Sequence, residues 1–315
     1  METNQSWVTE FILVGFQLSS EMELLLFWVF SLLYIFGLLA NGIILGLIWS
    51  DPQLHTPMYF FLSHLAIIDI TYATGSVPHT LRNLVQHKRT ISFVSCVLQI
   101  TFCLTVGSIE CMILMVMSYD RYVAICHPLQ YIIVMNWRRC TILAVMSWVC
   151  GFSLIMVNIL LLVRLPFCGP QELNHFLCDI LDVLKLACAD TWVNTFYMFA
   201  CGVFFLIVPL SLMLISYICI LWNILKIKSK EGRIKAFSTC SSHLCVVGLY
   251  FGIAMLLYLI PDDSQQQEPQ KILTLFYCLF NPLLNPLIYS LRNAQVKDAQ
   301  VKGAFYRALG QKRAT

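Results

Sequence analysis

The run LLLFWVFSLLYIFGLLANGIILGLIWS, residues 24–50, contains no Asp, Glu, Lys or Arg. It exceeds the ~20 apolar residues that carry an α-helix across the hydrocarbon core of a bilayer. The first long element is therefore expected to be a membrane span. Uncharged runs recur at 140–163, 191–225 and 272–291. Three further apolar segments carry isolated ionisable groups: 58–81 holds Asp69, 90–120 holds Glu110 and Asp120, and 236–260 holds His243. All 20 Lys and Arg lie outside these segments. The expected fold is an all-α membrane protein, a seven-helix bundle with spans near 24–50, 58–81, 92–120, 140–163, 192–225, 236–260 and 272–291.

Composition agrees. Of 315 residues 59% are hydrophobic and only 12% are charged, about half the ~25% of soluble domains, which excludes a water-soluble globule. The first 23 residues contain no Lys or Arg and four Glu, so they lack the basic start of a cleavable signal peptide. With the N-terminus outside, the inner segments hold fourteen Lys and Arg and the outer ones six; basic residues favour the cytoplasmic side, so N-out and C-in is expected. Residues 1–23 are then an extracellular N-terminus, 24–291 the transmembrane domain and 292–315 a cytoplasmic tail. The net charge of +3 reflects that inner surface; no soluble basic domain exists to bind nucleic acid. Asn4-Gln5-Ser6 is a glycosylation sequon on the expected outer side. In the tail, Val301, Phe305 and Leu309 recur at i, i+4, i+8 beside Lys297, Lys302 and Arg307, the pattern of a short amphipathic helix on the inner leaflet.

Few residues can carry chemistry. Asp69 and Glu110 are the acids deep within spans, and each costs about 2.5–3.5 kcal/mol at mid-helix. They suggest an interior polar site for a cation or proton, with Asn41 and Asn285 as the available amides. At 100° per residue Cys103, Gly107, Glu110, Leu114 and Arg121 share one stripe of the third span. That stripe joins an outer cavity, an acidic midpoint and an inner Arg. Asp120 beside Arg121 offers a releasable ion pair. No phosphate-binding loop, nucleophile elbow, zinc-helix motif or C-x-x-C occurs, so neither enzyme nor cofactor is expected. His175 and Cys178-Asp179 form a short run of metal-ligand types, but a disulfide at Cys178 removes the thiolate that a metal needs. Four cysteines, Cys96, Cys168, Cys178 and Cys188, fall on the outer side and allow three pairings. Two bridges would turn the 164–190 loop into a lid. Pro209, Pro282 and Pro286 sit inside spans, where kinks become available.

Five motifs in order, LHTPMYFFLS at 54–63, MSYDRYVAIC at 117–126, Ser216-Tyr217, KAFSTCSSHL at 235–244 and PLLNPLIYSLRN at 282–293, make the chain resemble the class A G-protein-coupled receptors, and among them the olfactory receptors. The resemblance implies bridges Cys96–Cys178 and Cys168–Cys188. It implies a G-protein switch built from Asp120, Arg121, Tyr122, Tyr217, His243 and Tyr289, and an interior sodium site at Asp69, Glu110 and Asn285. It further implies a plasma-membrane receptor for small volatile ligands, coupled to the olfactory stimulatory G protein and raising cyclic AMP. Ser118, His64 and Ala66 stand where Ala, Asn and Ser are common in the family. No Lys lies within 272–291, so a retinal Schiff base has no anchor there, and the outer half of the third span has no Asp for an amine. An apolar pocket is expected from Cys103, Leu104, Gly107 and Ser108, from Phe205, and from Phe251, Met255 and Tyr258 at i, i+4, i+7 of the sixth span. Ser108 and Tyr258 are its expected hydrogen-bond donors. The alternatives are a receptor of the same mechanism acting outside the nose and a small transporter or channel, for which the two buried acids are the only support.

Overall fold

The computed structural model describes residues 9–16, 18–86, 89–168, 171–226, 228–259 and 267–292. Seven long helices dominate them: α1 Ser20–Ser50, α2 Pro57–Val85, α3 Phe93–Cys126, α4 Trp137–Leu162, α5 Trp192–Lys226, α6 Lys230–Leu259 and α7 Gln267–Arg292. Among the described residues α1 to α5 are each long and apolar enough to cross a membrane. One helix covers each apolar segment, and several continue past it: α3 runs through Asp120-Arg121 to Cys126, and α6 starts at Lys230. Charge ends an apolar run without ending a helix, because Lys and Arg are good helix formers. Asn4, the 293–315 tail and the side chains of Tyr258 and Tyr289 lie outside the described residues.

The outer surface of α1 explains the need for lipid. Leu32, Leu39 and Ile43 are 67%, 59% and 61% exposed, an apolar face too extensive for water. Polar contacts and small residues seat the helices inside. Pro286 has no N–H to give the carbonyl four residues back, which is that of Pro282, and Asn41 Nδ2 of α1 donates to it at 2.8 Å. Asn41 thus repairs α7 and does not join the acids. In α5 a π turn, Val203–Ile207, ends two residues before Pro209; the wider turn absorbs the ring that would crowd an α-helix. On α4, a Cβ at Gly151 would stand 2.6 Å from Ile109 Cγ1 of α3, so the missing side chain lets these two helices close.

A small sheet on the outer side goes beyond the all-helical expectation. β1, Glu10–Leu13, pairs antiparallel with β2, Thr90–Ser92, and parallel with β3, Glu172–Leu173. Strands this short leave too few residues for an alternating pattern to register in sequence. Phe11 and Leu13 of β1 are buried. Two cations clasp the segment. Arg89 bonds the Val14 carbonyl at 3.2 Å and pairs with Glu23, and Lys271 donates to the Gly15 carbonyl at 2.9 Å and to Asn174 Oδ1 at 2.8 Å. Gly15 has φ +67°, the left-handed turn that aims its carbonyl at Lys271 and that a side chain would strain. The disulfides Cys96–Cys178 and Cys168–Cys188, with Cα separations of 5.5 and 5.9 Å, pin the loop bearing β3 to α3 and to itself.

Candidate functional site

Beneath that loop, α2 to α7 surround a cavity of about 210 Å³, smaller than the ~300–1,000 Å³ of drug-sized pockets. Cys103, Leu104, Gly107 and Ser108 of α3 and Phe205 of α5 line it. Phe251 and Met255 do not; α6 presents Tyr250, Ala254 and Leu257 instead, the same i, i+4, i+7 spacing one residue earlier. A uniformly apolar helix gives no reference for which stripe faces in, so spacing alone could not choose between the two. The loop supplies the roof with His175, Leu177, Cys178, Asp179, Ile180 and Leu181. Burial pushes the Asp179 carboxyl up to about 6, Asp182 adding to the rise, although the carboxylate accepts from the Leu181 N–H at 2.8 Å.

The floor is aromatic. Tyr250 donates to the Gly107 carbonyl at 2.7 Å and lies 3.1 Å from Cys111 Sγ, tying α6 to α3. Its ring meets Tyr277 of α7 at 5.5 Å, and Tyr277 meets Tyr72 of α2 edge-on at 5.5 Å. Gly107 is open to the cavity, yet a Cβ there would lie 3.4 Å from the Tyr277 hydroxyl, so its smallness serves both cavity and packing. Ser108 Oγ donates to the Leu104 carbonyl at 2.7 Å, which leaves it to act toward the cavity as an acceptor.

Below the floor, Asp69 of α2 and Glu110 of α3 are 1% and 2% exposed. Asn285 Nδ2 of α7 reaches both, at 3.0 and 3.1 Å from the Asp69 oxygens and 3.3 Å from Glu110 Oε1. Asn281, one helical turn away, donates to the same Glu110 oxygen at 2.7 Å. Sequence reasoning missed Asn281, although its spacing of four from Asn285 was the available signal. Among the described residues no group of three His, Cys, Asp or Glu gathers as for a metal.

At the inner end, Arg121 donates from Nε and Nη2 to Asp120 Oδ2 at 3.1 and 2.5 Å. Tyr131, in the loop after α3, donates to the other Asp120 oxygen at 2.8 Å. Asp120 is fully buried and the Arg121 side chain 13% exposed, so the guanidinium is held inward. Tyr122 bonds His127 at 3.2 Å. Between α5 and α6 the Tyr217 hydroxyl bonds His243 Nδ1, both residues being buried.

The family model described as "Olfactory receptor" matches residues 30–307. The chain belongs to the olfactory receptor family. Human olfactory receptor 2A5 is 62% identical over 300 residues, 95% of this chain and 96% of its own. Human olfactory receptor 2A2 is 60% identical over 313 residues, 99% and 97% of the two chains, and mouse olfactory receptor 2A7 is 55% identical over 298 residues, 95% and 96%. This olfactory receptor is accordingly a seven-transmembrane, multi-pass protein of the plasma membrane that senses odorants and is no enzyme. Two of its departures from common family residues have visible consequences. His64 Nδ1 accepts from the Trp148 indole of α4 at 3.2 Å, a polar contact between α2 and α4. Ser118 is 1% exposed and its hydroxyl has no hydrogen-bond partner among the described residues, a polar group that alanine would not bury.

Proposed function

We propose that an odorant binding under the loop drives α6 and α3 apart and so frees Arg121 for the stimulatory G protein, raising cyclic AMP. The observation that supports this is the single inward face of α3: Cys103 and Gly107 line the cavity, Glu110 carries the interior amides, Leu114 is fully buried, and Arg121 ends the stripe. A ligand pressing on the floor therefore acts on a helix whose other end holds the ion pair. It shifts the equilibrium only by its differential affinity for the two arrangements.

The roles divide by depth. Cys103, Leu104, Gly107, Ser108 and Phe205 contact ligand, with Tyr250 and Leu257 from α6. Asp69, Glu110 and Asn285 form a polar hinge between α2, α3 and α7. The donor set suits a small cation such as sodium, since the carboxylates supply hard oxygens and the two amides bring no charge to balance them. A sodium ion there would hold the hinge in one arrangement. Asp120, Arg121 and Tyr122, with Tyr217, His243 and Tyr289, serve the G-protein side. The N-terminus faces outward, bearing a glycan at Asn4, and the tail faces the cytosol. The test is heterologous expression with the stimulatory G protein and an odorant panel. Ligand-evoked cyclic AMP is expected; ion flux without any G protein would favour the channel reading instead.

A further inference from the structure

Among the polar groups that line the cavity away from the aromatic floor, the amide on α4 is the most deeply buried. Asn158 of α4 is 2% exposed and lines the cavity. A carboxamide offers two N–H donors and two acceptor lone pairs. Among the described residues this one makes a single hydrogen bond, from Nδ2 to Cys201 Sγ of α5 at 3.7 Å. A thiol is a weak acceptor, and burial of an amide without good partners is unfavourable. Ile155, Met198 and Phe205, which line the same cavity, are apolar, and Ser108 already donates its proton to the Leu104 carbonyl.

From this placement we propose that Asn158 is the polar anchor of the odorant site and selects oxygenated odorants, those with a carbonyl or hydroxyl oxygen on a hydrocarbon body. The proposal rests on the odorant-receptor reading and narrows it. The ligand oxygen accepts from Asn158 Nδ2 in place of Cys201 Sγ, a stronger acceptor replacing a weaker one. The hydrocarbon body fills the space toward Ile155, Met198 and Phe205. A ligand hydroxyl can in addition donate to Asn158 Oδ1 or Ser108 Oγ. A plain hydrocarbon leaves the carboxamide as poorly served as before.

The experiment uses the full receptor in cells supplied with the stimulatory G protein. The panel holds six- to ten-carbon aldehydes, ketones, alcohols and esters, matched hydrocarbons, amines and carboxylic acids, with surface density measured by antibody labelling. Wild type is expected to respond to oxygenated members and not to their hydrocarbons. Asn158→Leu is expected to raise the half-maximal concentration of those agonists about three- to ten-fold, the worth of one neutral hydrogen bond, and Asn158→Gln to restore part of it. If Asn158→Leu fails to reach the surface, Cys201→Ala decides, because removing the competing thiol should leave oxygenated agonists equally or more potent. Overturning results are equal potency of hydrocarbon and carbonyl, an unchanged half-maximal concentration in Asn158→Leu, or a Cys201→Ala receptor that loses the oxygenated agonists. A response confined to amines, acids or hydrocarbons overturns the anchor and keeps the receptor. Silence to the whole panel at normal surface density counts against both.

Discussion

Removing the Tyr250 hydroxyl isolates the tie between α6 and α3. Tyr250→Phe keeps the ring against Tyr277 and Phe251, at centroid separations of 5.5 and 5.1 Å, and deletes the 2.7 Å bond to the Gly107 carbonyl. That carbonyl lies within α3 and keeps its helical partner, so no buried acceptor is orphaned. The loss is then one buried neutral hydrogen bond, about 0.5–1.5 kcal/mol, together with the weaker 3.1 Å contact to the Cys111 thiol of the same helix. Where the bond exists only in the arrangement described, the ratio of active to resting receptor rises by about two- to twelve-fold. Basal cyclic AMP at matched surface density reads that ratio directly, and agonist half-maximal concentrations should fall with it. Unchanged basal signalling together with unchanged potency would refute the reasoning, because the bond would then be equal in both arrangements or irrelevant to them.

Other perturbations address other parts of the molecule. Lys271→Met leaves the Gly15 carbonyl and Asn174 without their ammonium donor, so backbone hydrogen exchange over residues 10–15 should accelerate by about ten-fold or more, for a loss of roughly 1.5–3 kcal/mol per charged hydrogen bond; unchanged exchange would show that the strand holds without the clasp. Asp179, ordinarily at 3.8 and here pushed up to about 6 by burial, retains in the folded loop a proton that the unfolded loop releases. Its contribution is therefore complete below about 3.8 and lost as pH rises through about 6, so the loop should be more resistant to thermal unfolding at pH 5 than at 7.5, and Asp179→Asn should flatten that difference. Ser118→Ala removes a buried hydroxyl that has no partner among the described residues and should stabilise the detergent-solubilised receptor by up to about 1–3 kcal/mol; a fall in melting temperature would mean that the hydroxyl is satisfied there.

How far the fold could be read in advance follows from how strongly each signal stands out. Uncharged runs such as 24–50 stand out because a bilayer tolerates no charge there, and α1 covers that run in full. Asp69 and Glu110 stand out for the same reason, and the shared face of α3 follows from helical period alone. Facing in α6 was not legible: Leu249 to Leu257 is apolar almost throughout, so Phe251 and Met255 looked as suitable as Tyr250 and Ala254. Asn158 was hidden by the reverse effect, an isolated amide in an apolar run with no neighbour in sequence to give it meaning. It acquires one in Cys201, forty-three positions later. The clasp by Arg89 and Lys271 depends on contacts spanning 75 and 256 positions, which no local pattern encodes, and the Tyr131 bond to Asp120 depends on how the loop after α3 turns back.

The coupling of the outer cavity to the inner ion pair is tested most directly by Arg121→Ala. Arg121 lies far along α3 from Cys103 and Gly107, and its hydrogen bonds among the described residues go to Asp120, so the substitution is expected to leave the ligand site intact. At surface density equal to wild type, odorant-evoked cyclic AMP is expected to disappear while odorant binding persists. A cyclic AMP response of undiminished amplitude in that variant would contradict the coupling outright.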